Sequence, residues 1–279
     1  MRIADALTPP EALSGLSDSP RLDLELLLGH VIGQSRSYFL TWPDKQLTET
    51  QLSAFNALVA RRLKGEPIAY ILGVQSFWTL ELEVSPVTLI PRPDTEVLVE
   101  TALDCLPNGT FRVADLGTGT GAIALALASE RPDWHVVGCD LMPDAVALAQ
   151  RNGRRCGLDQ VAFLQGSWFE PLDGRFELIV SNPPYIDPLD KHLNEGDVRF
   201  EPRSALVAEA AGLADITHIA TTATEYLTDS GWLLFEHGYD QGEAVRLLLT
   251  QLGYDQVATR PDYAGNDRVT LGCWRGKPC

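Results

Sequence analysis

The chain is poor in cysteine, with five in 279 residues: Cys105, Cys139, Cys156, Cys273 and Cys279. No two stand as Cys-x-x-Cys, and their odd number leaves one unpaired. This pattern argues against a disulfide framework and a zinc site, and it suits a reducing cytoplasm. No metal is expected. Cys139, inside a predicted strand, is expected in the core. The sequence also lacks any run of roughly 18 apolar residues, so no membrane span is predicted. The apolar patch from Leu24 to Ile32 is interrupted by Glu25, Gly29 and His30 and reads as a core helix. The first residues, Met1 to Leu7, have no apolar stretch of the kind a secretion signal needs. Basic residues are scarce: 22 Lys and Arg stand against 38 Asp and Glu, a formal charge of −16. A protein that grips duplex DNA needs a cationic surface, so direct nucleic-acid binding is not expected. Solubility explains the acidity, and so does a partner with a basic face. There is no Gly-Lys-Ser/Thr, which makes a triphosphate P-loop unlikely, and no Gly-x-Gly-x-x-Gly dinucleotide turn. Internal repeats and low-complexity segments are missing too. What remains is a globular composition, 45% hydrophobic and 22% charged, in a chain long enough for two domains.

Residues 1–72 read as a helical domain. Leu22, Leu26, Leu27 and Val31 recur at helical spacing. A second helix is predicted from Thr48 to Lys64 with Leu52, Phe55, Leu58, Val59 and Leu63 on one stripe. Thr48 and Gln51 can form a capping box, and Gly65 and Pro67 end the helix. No catalytic constellation occurs here, so the domain is assigned to recognition or packing. Residues 73–92 read as a hairpin linker: Phe77 to Val84 alternates as a strand, Ser85-Pro86 turns, and Val87 to Ile90 returns. Asp94 or Thr95 is placed to cap a helix from Glu96 to Leu106. The rest, to residue 279, alternates strand and helix. Strands are predicted at 111–116, 135–140, 161–165, 176–181, 232–237 and 268–274. Helices are predicted near 121–130, 143–152, 211–227 and 241–252. That order indicates an α/β fold with a doubly wound, mostly parallel sheet. Arg275 to Cys279 reads as a frayed end.

Two segments carry chemistry. The first is Val113-Ala-Asp-Leu-Gly117-Thr118-Gly119-Thr120-Gly121, a strand that runs into a glycine turn. Glycine lets the backbone approach a ligand closely, and the helix that follows offers unpaired N–H groups. Asp140 ends the next strand, where a carboxylate can accept both hydroxyls of a ribose or cap the helix starting near Pro143. Asp115 is expected to brace the glycine loop. Trp168 follows another strand at the ligand edge; its indole can pack on an adenine or belong to the core. Trp42, Trp78, Trp134, Trp232 and Trp274 are taken as packing residues.

The second segment is Asn182-Pro183-Pro184-Tyr185, which closes the apolar strand Phe176 to Ser181. An amide or aromatic amine nitrogen is a poor nucleophile because its lone pair is delocalised. Fixing both of its N–H bonds aims that lone pair. Asn182 Oδ1 can accept one hydrogen bond, the Pro183 carbonyl can accept the other, and Tyr185 can stack on the planar group. No strong base is needed, since the alkylated nitrogen is acidic enough to give its proton to water. The two segments together point to methyl transfer from S-adenosylmethionine to a planar nitrogen.

Ile90-Pro-Arg-Pro-Asp-Thr-Glu96, Asp115-Leu-Gly-Thr-Gly-Thr-Gly121, Ser181-Asn-Pro-Pro-Tyr-Ile186, Val198-Arg-Phe-Glu-Pro202 and Glu236-His-Gly238 together resemble the protein-(glutamine-N5) methyltransferases of peptide chain release factors. The resemblance covers nearly the whole chain. It implies a Rossmann-like class I S-adenosylmethionine-dependent methyltransferase domain with a small all-α N-terminal domain that grips a protein substrate. It implies cofactor contacts from Gly117, Thr118, Gly119, Thr120, Gly121, Asp140, Trp168 and Asn182, with Asn182, Pro183, Pro184 and Tyr185 holding the acceptor. The implied acceptor is the glutamine of the Gly-Gly-Gln loop of class I release factors, methylated by a cytoplasmic, monomeric enzyme. Ser167 departs from an acid at that position in the resemblance and would hold an adenine amino group less strongly. Arg92 and Glu201 are expected near the site with no chemical task assigned. The alternatives are a ribosomal-protein glutamine methyltransferase and an adenine-N6 DNA methyltransferase. The acidic composition and the acidic stretch Asp187 to Glu201 weigh against the latter.

Overall fold

The structure, a computed structural model, describes residues 1–190, 193 and 196–276. Lys277 to Cys279, three of the residues read as a frayed end, lie outside the described residues, as does part of the acidic stretch before Glu201. The chain divides into two compact units, Met1–Val74 with the described part of Lys191–Phe200, and Gln75–Asp190 with Glu201 onward. No helix among the described residues is long and apolar enough to cross a membrane.

The first unit is helical: α1 (Ile3–Ala6), α2 (Glu11–Ser14), α3 (Pro20–Ile32), α4 (Arg36–Thr41), α5 (Glu49–Arg62) and α6 (Ile68–Leu72). The capping box forms at the start of α5: Gln51 N–H donates to Thr48 Oγ1 at 3.2 Å, and Thr48 N–H donates to Gln51 Oε1 at 3.0 Å. The inward face of α3 differs from the predicted stripe. Leu24, Leu27 and Leu28 are buried and Leu26 is exposed. The reason lies in two buried carboxylates. Asp23 accepts from Arg62 Nε at 2.8 Å, and Glu25 accepts from Arg21 and Arg36 at 3.0 and 2.7 Å. Paired this way, the acids can turn inward and rotate the helix about its axis. Arg62 also reaches Asp197 at 2.9 Å, which ties that later segment into the unit. Leu63 is exposed, while the adjacent Arg62 is buried. Trp42, read as a packing residue, is 56% exposed.

After α6 comes a two-stranded sheet, β1 (Val74–Phe77) and β2 (Leu80–Glu83). Its turn falls at Trp78-Thr79, ahead of the predicted Ser85-Pro86, and Val87 to Ile90 forms no strand. Trp78 holds the early turn. It adopts φ +56°, its N–H donates to Glu96 Oε1 at 2.9 Å, and its indole N–H donates to Glu130 at 2.7 Å. Then follow α7 (Glu96–Cys105), β3 (Arg112–Leu116), α8 (Ala122–Glu130), β4 (His135–Asp140), α9 (Pro143–Arg155), β5 (Ala162–Gln165), β6 (Phe176–Ser181), α10 (Glu209–Gly212), α11 (Ala214–Tyr226), β7 (Leu227–Glu236), α12 (Gly242–Leu252), β8 (Tyr254–Pro261) and β9 (Asp267–Trp274).

The sheet runs β5-β4-β3-β6-β7-β9-β8. β3 to β7 are mutually parallel where paired, and β9 is antiparallel to both β7 and β8. β8 has no counterpart in the predicted elements. It is an edge strand with most of its side chains outside the core, so its sequence carries little apolar alternation. The central strands show period two. Val113, Leu178 and Val180 join the core under α7 and α8; Ala114, Leu116 and Ile179 join the core under α11 and α12. The chain leaves β3 toward β4 on one side, and β6 returns on the other. Leu116 and Ser181 are register partners at the carboxyl ends of these two strands. That reversal opens the crevice where ligands bind in such sheets.

Candidate active site

The segments after Leu116 and Ser181 line a cavity of about 310 Å³, within the size range of ligand sites. On one wall stand Gly117, Thr118, Gly119 and Thr120, with Asp140 and Trp168 beside them. Asn182 and Pro184 face it, together with Thr88, Leu89, Pro91 and Thr95. Gly121, Pro183 and Tyr185 stand behind the wall.

The glycine loop is held from below. Gly117 and Thr118 N–H both donate to the Cys139 carbonyl at 2.9 Å. Asp115, fully buried, accepts from Thr118 Oγ1 at 2.6 Å and from Ala124 N–H at 3.2 Å. Burial pushes the Asp115 carboxyl up to about 7, with the Asp140 charge adding to it and the two donors opposing. Gly119 and Gly121 have φ of +56° and +82°. A β-carbon on Gly119 would find only Thr88 Cβ within 4 Å, so the cavity beside it is open. A β-carbon on Gly121 would sit 3.0 Å from the Phe163 ring and 3.2 Å from Ala149. Gly121 therefore serves packing behind the loop, and Gly119 keeps a cradle clear in front.

Asp140 does two tasks. Its Oδ2 accepts Gly119 N–H at 2.9 Å, and its Oδ1 accepts Met142 N–H at 2.9 Å at the start of α9. Each oxygen keeps a further lone pair for a hydroxyl. Trp168 takes φ +48°, a conformation that costs roughly 1–2 kcal/mol for a bulky residue. Cys139 Sγ–H donates to its carbonyl at 3.0 Å, and its ring lies 3.4 Å from where a Gly117 β-carbon would be. Ser167 lines the cavity next to it, its N–H engaged by Glu170 at 3.0 Å.

The Asn182–Tyr185 loop is tied at several points. Ser181 Oγ donates to the Leu116 carbonyl at 2.7 Å, and Asn182 Nδ2 donates to Thr95 Oγ1 at 3.3 Å. Gln241 Nε2 donates to the Tyr185 carbonyl at 3.0 Å, and the Tyr185 hydroxyl donates to Glu236 Oε1 at 3.3 Å. Burial, then the Glu236 charge, push the Tyr185 hydroxyl upward. Among the described residues no hydrogen bond uses Asn182 Oδ1 or the Pro183 carbonyl. Two acceptors on consecutive residues are thus unclaimed among the described residues. Arg92 pairs with Glu201, which also accepts Ile90 N–H at 3.1 Å, so this pair anchors the segment carrying Leu89 and Pro91. Among the described residues no group of three or more His, Cys, Asp or Glu could hold a metal ion.

The sequence pattern does not point to Thr88, Leu89 and Pro91 as wall residues, because Val87 to Ile90 reads as a strand. Thr95 was read as a helix cap, although its hydroxyl meets Asn182. Glu236 stood out only through the resemblance.

The cradle fits S-adenosylmethionine. Gly119 leaves room for close backbone approach, Asp140 suits a diol, and Trp168 suits a nucleobase.

Two family models match the chain, the PrmC N-terminal domain over residues 11–73 and the methyltransferase small domain over residues 94–200. A release factor glutamine methyltransferase from Vibrio cholerae is 60% identical over 93% of this chain and 91% of its own length. One from Escherichia coli is 56% identical over 94% of this chain and 96% of its own length. A methyltransferase of known structure from Pyrococcus furiosus is 19% identical, with a TM-score of 0.55 over 79% of this chain and 99% of its own; the fold is shared.

Proposed function

Because the chain belongs to the release factor glutamine methyltransferases, enzymes that use S-adenosylmethionine, we propose that Asn182 to Tyr185 hold the side-chain amide of the Gly-Gly-Gln glutamine of class I release factors for methylation at N5. The observation that carries this reading is the pair of acceptors that no hydrogen bond among the described residues uses, Asn182 Oδ1 on a residue of the cavity wall and the carbonyl of the next residue, Pro183. One primary amide has two N–H donors in a plane and matches that pair. S-adenosylmethionine, when bound, supplies a methyl group on a sulfonium centre. Gly117 to Gly121, Asp140 and Trp168 would hold it.

The chain's own contribution is orientation. Asn182 Oδ1 takes one amide N–H and the Pro183 carbonyl takes the other, which fixes the amide plane so that the nitrogen lone pair, perpendicular to it, faces the cavity. Such fixing of a reacting group removes orientational entropy from the barrier, and the two dipoles favour the positive charge that grows on nitrogen. Tyr185, with its hydroxyl on Glu236 and its carbonyl on Gln241, keeps the loop rigid. Its ring, half-buried and outside the cavity lining, would meet the acceptor's planar face from the side of the loop. The helical unit at residues 1–72 serves to grip the protein substrate, the segment 73–92 with its β1–β2 hairpin links it, and residues 93–279 carry the chemistry. A net charge of −16 favours a protein substrate over duplex DNA. The enzyme works in the cytoplasm as a monomer.

The test is mass spectrometry of a release factor incubated with the protein and S-adenosylmethionine. One methyl on the Gly-Gly-Gln glutamine is expected. A methyl on another residue, or transfer of label to duplex DNA, would overturn the assignment.

A further inference from the structure

The side chain that presents Asn182 Oδ1 is a symmetric-looking amide, and nothing intrinsic decides which end faces the acceptor. Turned the wrong way, Asn182 would point two N–H donors at an amide that itself offers donors. The structure contains a device that selects the end. Asn182 Nδ2 donates to Thr95 Oγ1 at 3.3 Å. Thr95 is 4% exposed and borders the cavity; Glu236, behind it, is 1% exposed. The Tyr185 hydroxyl donates to Glu236 Oε1 at 3.3 Å. Glu236 Oε2 makes no formed hydrogen bond, and the Thr95 hydroxyl is the neighbouring donor that favours its ionised form. A threonine hydroxyl has one proton and two lone pairs. If its proton turns to the carboxylate, only lone pairs are left for Asn182, and these accept N–H and repel Oδ1.

We infer that Glu236 and Thr95 are positioning residues for the methyl acceptor: the carboxylate draws the Thr95 O–H, Thr95 then receives Asn182 Nδ2–H, and Oδ1 is thereby held toward the glutamine amide. The same carboxylate receives the Tyr185 hydroxyl, so one buried charge orients both ends of the loop. Hydrogen bonds of this kind are commonly long in a free enzyme and tighten when the substrate is present. The inference rests on the proposed role of Asn182.

The device has a proton-dependent polarity. A protonated Glu236 can donate to Thr95, which frees the Thr95 proton to face Asn182 and favours the inverted amide. Several groups face Glu236. Tyr185 comes from the loop after β6, Asp94 and Thr95 from the turn before α7, and Arg268 from β9. Arg92 acts on Tyr185. Arg268 is shared with Asp94 at 3.5 Å and Asp262 at 3.0 Å. His237, the residue after β7, is occupied by Gly238 O and Thr270 Oγ1 at 2.8 and 2.7 Å. Burial, the largest influence, pushes the Glu236 carboxyl up to about 7, with Asp94 adding to it and Thr95, Arg268 and Tyr185 opposing.

The experiment compares the full-length protein with its Thr95→Ser, Thr95→Val and Glu236→Gln variants. Turnover of a release factor is followed from pH 6 to 9 by mass spectrometry of the Gly-Gly-Gln peptide, and S-adenosylmethionine affinity is measured by calorimetry. Thr95→Val and Glu236→Gln are expected to lower kcat by about ten- to a hundredfold, the scale of a misaimed reacting group. Cofactor Kd should stay within about twofold, and Thr95→Ser should keep kcat within about threefold of wild type. Wild type should lose kcat as pH falls through the neutral range, and Glu236→Gln should not show that limb. If Glu236→Gln does not fold, the Thr95→Ser and Thr95→Val pair decides. Equal kcat for Val and Ser, or a cofactor affinity that falls in step with kcat, would overturn the inference while glutamine methylation by wild type stands. No methyl on that glutamine from wild type would overturn the acceptor assignment, and this inference with it.

Discussion

Replacing Gly119 and Gly121 with alanine, one at a time, separates the ligand cradle from the fold that supports it. Both glycines have positive φ, and a left-handed conformation costs an L-residue roughly 1–2 kcal/mol. Their surroundings differ. The Gly121 β-carbon would press on the Phe163 ring at 3.0 Å and on Ala149 Cβ at 3.2 Å, both in the core. Overpacking of that kind adds about 1–3 kcal/mol, so Gly121→Ala should cost about 2–5 kcal/mol in total. For a chain of this size the Tm should fall by roughly 5–15 °C. The Gly119 β-carbon would meet only Thr88 Cβ, at 3.9 Å, so the backbone cost stands alone and the Tm should fall by less than roughly 5 °C. The same methyl would stand in the cavity proposed to hold the donor. Loss of about 1.4 kcal/mol or more there is tenfold or more in Kd. Differential scanning fluorimetry and calorimetric titration with S-adenosylmethionine measure the two effects. A Gly119→Ala protein that binds the donor as wild type does would refute the cradle. A Gly121→Ala protein that melts with wild type would refute the packing argument.

Asn182→Ala should leave S-adenosylmethionine affinity within about threefold and lower kcat by about 10²–10³, the cost of removing one aimed acceptor; parallel loss of both would contradict its role toward the acceptor. Without ligand, stability should decline as pH rises from about 5 to about 7. Asp115 and Glu236 are raised from 3.8 and 4.5 to about 7, so in that window the folded chain keeps protons that the unfolded chain releases, and the penalty is complete above it. Glu25 and Glu66, lowered below 4.5, are already ionised there, while His237, which burial lowers from 6.5, works against the slope as pH rises toward 6.5 and stands alone against the two raised carboxyls. Urea midpoints at pH 5, 6, 7 and 8 measure it, and a Glu236→Gln protein with the wild-type slope would exclude that residue as a source. Arg62→Ala should destabilise the helical unit by about 3–5 kcal/mol, because it strands the buried Asp23; a circular-dichroism melt within about 1 kcal/mol of wild type would show that water replaces the pair.

The sequence by itself determined the alternating sheet and the place of its ligand edge. Val113, Ala114 and Leu116 alternate between two cores because side chains on a strand point to opposite faces, a rule that needs no tertiary knowledge. The glycine turn and Asn182-Pro183-Pro184-Tyr185 follow strand ends, so their meeting at the switch between β3 and β6 was legible once the β/α order was read. The capping box at Thr48 was legible for the same local reason. Long-range pairing decided the rest. The inward face of α3 depends on Arg62, 39 residues away from Asp23 in the chain, and no periodicity encodes that partner. The early turn at Trp78 depends on Glu96 and Glu130, and Val87 to Leu89 line the cavity rather than a sheet. β8 is an edge strand, with little apolar pattern to announce it. The side-chain contact of Asn182 comes from Thr95, 87 residues away in the chain, and the hydroxyl of Tyr185 is met by Glu236, 51 residues on. A carboxylate acquires its orientation and its raised proton affinity only from the burial and the donors that folding supplies, and the residue type alone carries neither.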